Sequence, residues 1–400
     1  MKPRPFLISF ILLNAGILFS QTSVQFNVLG DLGFSIAGDK SHYYYNGIDE
    51  DHTAARIKLS QLNLIAKINF DEQWIFNSRL LLERDKDLSF DKFQIPQLNL
   101  QWLSKQRKIG LTAGIFTNPF GSFNEKQLST ERDFIGLPLA YAFYVNISDK
   151  IGFMEGMGDV NKTAIDGSVQ WGSSIVYYGG YSAGTLFSWN IKPTKINWKI
   201  ALVTGASNLQ QRFTDPLNIG LVSRLKTQPT YFWEQGFSVS HGSFLRRSEV
   251  SNQLNDLGQF RQTIIGTDYK LGHGFFEFSG EIMWAHYSAP VFIFEDNAFE
   301  SGTYQSTQKF NNVAAYLDVK YEPPFLQGSY FAYRIDGLAF GKINNSDEPW
   351  DNDVLRHSLA MGYHITQNFL IRVMASTQHV ETKKWGQGQR TFQVMLTGHY

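Results

Sequence analysis

A Gly-x-Ser-x-Gly run at Gly180, Tyr181, Ser182, Ala183 and Gly184 has the spacing of a hydrolase nucleophile elbow. That chemistry needs the serine on a sharp turn between a strand and a helix, with an acid and a histidine reaching it. Here the run lies in a Gly-rich segment that reads as strand, where glycine eases curvature and close backbone approach. The nine histidines show no telling spacing to a serine or an acid; His241 and His286, near strand ends, come nearest to candidates, and His357 falls on an apolar face. The expectation is that the chain is not an enzyme. Two acidic segments, one with Glu295, Asp296 and Glu300 and the other with Asp347, Glu348, Asp351 and Asp353, offer hard oxygen ligands to Ca²⁺ or Mg²⁺. Neither follows the alternating Asp/Asn spacing that ends in glycine, so both read as solvated loops, and no metal or cofactor is expected.

What remains is a set of charged side chains recurring at every second position, and these need strands to present them. Apolar and polar residues alternate through most of the chain: Phe392, Val394, Leu396, Gly398 and Tyr400 against Gln393, Met395, Thr397 and His399, for example. Ile196, Trp198, Ile200 and Leu202 oppose Asn197 and Lys199 in the same way, and period two is the signature of a strand. Sixteen such segments occur. They lie near 24–36, 54–70, 73–84, 94–104, 107–117, 174–190, 196–205 and 217–226, then near 231–242, 261–271, 274–286, 310–321, 328–338, 354–364, 369–379 and 390–400. Within 54–70 the apolar parity flips between Leu59 and Leu62, which predicts a β-bulge.

The connections alternate short and long, and no apolar run after the first twenty residues is long enough for a spanning helix. Charges recur mid-strand on the polar face, while Phe70, Trp74, Trp102, Tyr231, Tyr321, Tyr363 and Phe369 cluster near strand ends, where an interfacial girdle would hold them. In lipid every backbone group must be paired, so strands can span only as a closed barrel. The fold class read from this is all-β, a transmembrane antiparallel β-barrel of about 16 strands. Aromatic content of 15% and charged content of 18% fit it. The absence of cysteine excludes disulfides, thiolate metal sites and thiol nucleophiles. With 36 basic and 36 acidic residues there is no electrostatic reason to expect nucleic acid as a partner.

Residues 1–20 read as a signal peptide, with Lys2 and Arg4 before the apolar stretch Phe6 to Phe19 and a small Ser20 at the end. Residues 21–400 then form a single barrel domain exported to the outer membrane. Its longest connection, 118–173, carries Phe120, Phe123, Phe134, Leu137, Tyr141 and Phe143, too apolar for a solvated tail. It is expected to fold into the barrel as a constriction or plug, with Lys126 and Arg132 as its charged contributors.

On the wall, period two turns eleven cations inward: Arg56, Lys58, Lys67, Arg79, Lys199, Arg224, Lys270, Lys320, Arg334, Arg356 and Arg372. Seven anions join them: Glu83, Glu234, Asp268, Glu277, Glu281, Asp318 and Asp336. Much of this charge should pair across neighbouring strands. Because rings of charge set which ions a pore passes, the excess of cations predicts a weak anion preference. Arg79, Lys199, Arg224, Arg334, Arg356, Arg372, Glu281 and Asp336 are the expected pore-lining set.

The run Gly114-Ile115-Phe116-Thr117-Asn118-Pro119-Phe120-Gly121, followed by Leu137-Pro138-Leu139, resembles the point where porins of Gram-negative outer membranes enter their long third loop. The chain is most similar to the phosphate-selective porin O/P-like group, in its Bacteroidetes-type members. Ala201-Leu202-Val203-Thr204-Gly205, Gly280-Glu281-Ile282 and Ala332-Tyr333-Arg334-Ile335-Asp336 carry further likeness. The resemblance implies a channel for passive diffusion of small hydrophilic solutes or anions, often a homotrimer, in contact with outer-membrane lipid and lipopolysaccharide. The terminal Tyr400 resembles the signal read by the barrel-assembly machinery. Dense arginine and lysine arrays of phosphate-selective members are absent, so dedicated phosphate uptake does not follow. The alternative is a plugged barrel serving as a structural subunit of a larger outer-membrane complex.

Overall fold

A computed structural model describes residues 22–37, 42–45, 48–51, 56–83, 92–154, 172–176, 181–191, 195–208, 219–248, 251–293, 303–343, 347, 349–380 and 389–400. The expected signal peptide lies outside these residues, as do 155–171 of the long loop and the side chains of Arg56, Lys58 and Glu83.

The first eight wall strands are β1 (Ser23–Ala37), β2 (Arg56–Asn69), β3 (Trp74–Glu83), β4 (Lys92–Leu103), β5 (Ile109–Thr117), β6 (Tyr181–Ile191), β7 (Ile196–Thr204) and β8 (Ile219–Thr230). The second eight are β9 (Trp233–Ser243), β10 (Arg261–His273), β11 (Phe276–Ile293), β12 (Thr303–Tyr321), β13 (Ser329–Phe340), β14 (Val354–His364), β15 (Phe369–Val380) and β16 (Gln389–His399). Each pairs antiparallel with its neighbours in sequence, and β1 pairs with both β2 and β16, so the sheet closes. Tyr400 and Val28 exchange both backbone hydrogen bonds at 2.9 Å across that seam. Each of the sixteen expected segments overlaps one wall strand, and none of the described helices is long and apolar enough to cross a membrane.

Alternation sorts the faces. Phe26, Leu202, Ile282 and Leu359 stand 60, 56, 51 and 63% exposed on the outer face, where lipid covers them. The bulge in β2 is real: Asp31 faces Gln61 while Leu32 faces Leu59, leaving Ser60 as the extra residue. A second register shift in β4 falls at Pro96, a residue that cannot donate to the ladder. The aromatic residues of the expected girdle gather at the short-turn end, where Trp74 faces Trp102 and Phe276 stacks on Tyr321 at 4.7 Å.

Three expectations need correction. The segments near 274–286 and 310–321 are longer, because their ladder continues outward to Ile293 opposite Thr303. Ala289, Pro290, Val291 and Phe292 are all buried there, so the alternation that marks a strand is lost. One reason is that Gly152–Met154 of the long loop pairs parallel with Val291 and Phe292, covering an otherwise open edge. Of the segment near 174–190, the described strand covers Tyr181–Ile191, 174–176 are not strand, and Ser173 bridges Val145 within the loop. The first long connection also carries a hairpin, His42–Tyr45 with Ile48–Asp51.

The face assignment makes a direct prediction. Ile282→Arg on the outer face of β11 should cost about 2–4 kcal/mol of folding stability in lipid vesicles. Denaturant unfolding with an unchanged midpoint would show that Ile282 does not meet lipid.

Candidate functional site

The long loop and the inner wall meet through a row of buried polar side chains. Cross-strand register sets Asp268 of β10, Glu281 of β11, Tyr316 of β12, Asp336 of β13, Arg356 of β14 and Gln378 of β15 directly opposite one another in succession. A buried carboxylate is costly unless hydrogen bonds replace its water. Glu281 is 4% exposed and accepts from three loop donors: the Phe123 N–H at 2.6 Å, the Ser122 hydroxyl at 2.9 Å and the Tyr141 hydroxyl at 2.6 Å. Burial, together with the charge of Glu281, pushes the Tyr141 phenol well above its ordinary value, so it stays a donor.

The next strands grip the Gly136–Leu139 turn of the loop. Arg334 holds Asp318 through Nε at 2.6 Å and donates to the Gly136 carbonyl at 3.0 Å, with its guanidinium 4.3 Å from the Phe134 ring centroid. Arg356 pairs with Asp336 and donates to the Leu137 carbonyl, while Asp336 accepts from the Leu139 N–H at 2.8 Å. Arg372 donates to the carbonyls of Ser129 and Arg132 at 2.7 and 3.0 Å and to Thr397. Thr397 and Ser129 in turn donate to Asp31 at 2.6 and 2.9 Å. Tyr330 reaches the Asp133 carbonyl and Lys320 its carboxylate.

A third group surrounds Glu125 of the loop, which meets Arg224 at 2.7 Å, Lys199 at 3.0 Å and Lys226 at 3.6 Å. Asp268 takes the other side of Arg224 at 2.8 Å. Partial burial would raise the Glu125 carboxyl, but Lys199, Arg224 and Lys226 outweigh it and bring it down to about 2. Below these contacts an aromatic core continues, with Phe123 against Tyr141 and Tyr316, and Phe153 against Phe310.

The expected site residues therefore fall into two sets. Arg224, Arg334, Arg356, Arg372, Glu281 and Asp336 are 1–4% exposed and bonded beneath the loop or to one another. Arg79, Lys126 and Arg132 instead line one narrow space with Asn124, Gln127, Tyr141 and Tyr181. Arg79 is fixed there by Asn63 at 2.7 Å and the Gln127 carbonyl at 3.3 Å. Among the described residues none of these three cations forms an ion pair, and Lys199 lies beyond them against Glu125. Sequence reasoning missed Asp31, Glu125, Asp133 and Lys226. Parity alone could have found Asp31 and Lys226, which share the inner face of β1 and β8; nothing in the sequence marks the two loop acids.

Ser182 is fully buried as the second residue of β6, opposite Phe116, and the chain after it continues as strand to Ile191 and not as a helix. Gly184 has a reason of its own: at φ +154° any Cβ would lie 2.0 Å from the Leu202 carbonyl oxygen. His241, His286 and His357 lie on the outer face, bonded to Thr263, Asn311 and Tyr333. Asp351 and Asp353 accept from the backbone N–H groups of Asn146 and Phe340, and Asp347 pairs with Lys342; the other acidic segment and Glu348 lie outside the described residues.

Two outcomes are expected. Glu281→Ala leaves up to three loop donors without a partner, at about 1–3 kcal/mol each, so trypsin should cut faster after Lys126 and Arg132; unchanged cleavage would show that Glu281 does not hold the loop. Glu125, with its carboxyl lowered, contributes fully above its ordinary pKa and loses that contribution only as pH falls through about 2. Hydrogen-exchange protection of 122–128, corrected for intrinsic rate, should therefore be the same at about pH 7 and about pH 5. A marked fall over that interval, absent in Glu125→Gln, would contradict the lowered value.

No protein-family model matches the sequence, and no curated protein matches it. Solved structures do. OmpT, an outer membrane protein of Vibrio cholerae, superposes with a TM-score of 0.58 at 7% identity, covering 95% of this chain and 98% of that one. An anion-selective porin from Comamonas acidovorans gives 0.56 at 10% identity, over 95% of this chain and 100% of that one. The outer membrane channel DcaP of Acinetobacter baumannii gives 0.55 at 11% identity, over 96 and 99%. At these identities the likeness is one of fold: a sixteen-stranded barrel of the architecture seen in outer-membrane porins.

Proposed function

We propose that the chain is an outer-membrane porin that lets small hydrophilic solutes diffuse passively, with a weak preference for anions. The observation that carries this reading is the narrow space lined by Arg79, Lys126 and Arg132, cations that form no ion pair among the described residues. The third loop folds inward and is held by the wall arginines and Glu281, so Arg224, Arg334, Arg356 and Arg372 act as its anchors more than as a lining for permeating ions. Charge near the passage is then set by the three unpaired cations, as it is in channels whose selectivity comes from charged rings. The porin neighbours and the lipid-facing apolar band support an outer-membrane location, reached by way of the signal peptide read in residues 1–20. Assembly through the barrel-assembly machinery and association as a homotrimer belong to the same reading. Dedicated phosphate uptake is not part of it. A plugged barrel is the less favoured alternative, since a filled lumen would have no use for three cations without an ion pair gathered in one space.

Planar-bilayer recording under a KCl gradient tests the proposal. The protein should give stable conductance steps with a reversal potential on the anion side. Arg79→Ser, Lys126→Ser and Arg132→Ser together should at least halve the anion-to-cation permeability ratio. A folded but silent barrel would favour the plugged alternative, and an unchanged ratio in the triple variant would remove these residues from the permeation path.

A further inference from the structure

The outer face carries a second feature that the pore does not use. Across β9 to β12 the register aligns His241, Thr263, His286 and Asn311 in one unbroken outward-facing row. One step nearer the long-loop end lie Arg261, opposite Ser243, and Lys309, opposite Ser288. One outward step in the other direction the row is Val239, Ile265, Trp284 and Val313, with the last three 39–40% exposed. On these four strands the outer wall thus changes within a single step from apolar to basic and hydrogen-bonding, whereas the adjoining β8 stays apolar at Leu221, opposite His241.

Height places this boundary. From Phe276, in the aromatic girdle of the short-turn end, to His286 is ten residues along β11, roughly 33 Å at the usual strand rise. A tilt of about 40° reduces that to about 25 Å, the height of the apolar band of a membrane barrel. His241, Thr263, His286 and Asn311 therefore lie where acyl chains end and headgroups begin, on the side of the long loops.

The groups there are organised. Arg261 donates through Nε to the Gly258 carbonyl at 2.9 Å and bonds the His241 Nε2 at 3.2 Å. That arrangement puts the His241 proton on Nδ1, which meets the Thr263 hydroxyl at 2.8 Å. His286 stacks on Trp284 at 5.7 Å and bonds the Asn311 side chain at 2.8 Å. Asp256, the nearby loop acid, gives one carboxylate oxygen to the Gly258 N–H at 2.8 Å. Among the described residues neither Arg261 nor Lys309 forms an ion pair.

We infer that this patch binds the phosphate of a phosphorylated lipid in the outer leaflet, its acyl chain lying on Ile265, Trp284 and Val313. Arg261 and Lys309 supply the charge, and the hydroxyl, amide and imidazole groups of the row supply hydrogen bonds. A free anion would gain nothing from the apolar row beneath. The inference rests on the outer-membrane placement but not on what passes through the lumen.

The test is native mass spectrometry of the folded protein in detergent, titrated with bisphosphorylated lipid A. Wild type should retain the lipid, and Arg261→Ser with Lys309→Ser should weaken retention at least ten-fold while bilayer conductance stays at the wild-type value. Arg261→Lys with Lys309→Arg should keep retention close to wild type. Lipid A stripped of both phosphates should bind wild type no better than the intact lipid binds the double serine variant. Equal retention by that variant, or equal binding of the stripped lipid, would overturn the inference. Displacement of the lipid by millimolar inorganic phosphate would also overturn it, in favour of a site for free anions.

Discussion

Charge buried inside a membrane barrel has to be answered by hydrogen bonds, and in this molecule the answer is the loop. The row from Asp268 to Gln378 crosses six strands without interruption on the inner face, and its carboxylates and guanidinium groups would be costly if left bare. Loop 118–154 supplies what they lack: N–H groups and hydroxyls for Glu281 and Asp336, carbonyls for Arg334, Arg356 and Arg372. Neither partner is complete alone. The loop ending the run Gly114–Gly121 needs the wall to fix its path, and the wall needs the loop to neutralise its polar row.

That mutual dependence divides the charges by role. Where an arginine has both a carboxylate and a loop carbonyl, it is sealed and acts as an anchor. Where the loop passes β3, the wall offers Arg79 with only an amide and a carbonyl, and Lys126 and Arg132 bring further positive charge. Three cations without an ion pair among the described residues thus meet at this one narrow place, while Arg224, Arg334 and Arg356 of the wall are paired with carboxylates. Glu125 does the pairing near β7 and β8, where one loop carboxylate meets three cations.

Much of the fold was legible because a barrel wall obeys period two so strictly. The bulge at Ser60 showed as a change of parity between Leu59 and Leu62, and the inner position of Arg334 and Asp336 followed from the outward run of Phe331, Tyr333 and Ile335. Legibility failed where a strand leaves the membrane band: Ala289 to Phe292 are buried on both faces, so no alternation marks them. The candidate site was half legible. Charged side chains announce themselves by residue type and parity, but backbone carbonyls do not, and the arginines of the wall are satisfied largely by carbonyls of the loop. Glu125 and Asp133 became meaningful only once the loop was laid against the wall.

The absence of cysteine permits one direct test. Lys126→Cys would carry the single thiol of the protein, placed on the loop beside Arg79 and Arg132. Its reaction with a negatively charged thiosulfonate reagent during single-channel recording should lower conductance in discrete steps and move the reversal potential toward cations. Complete labelling, verified by mass, with conductance and reversal potential unchanged would contradict a loop that folds inward to set the charge of the passage.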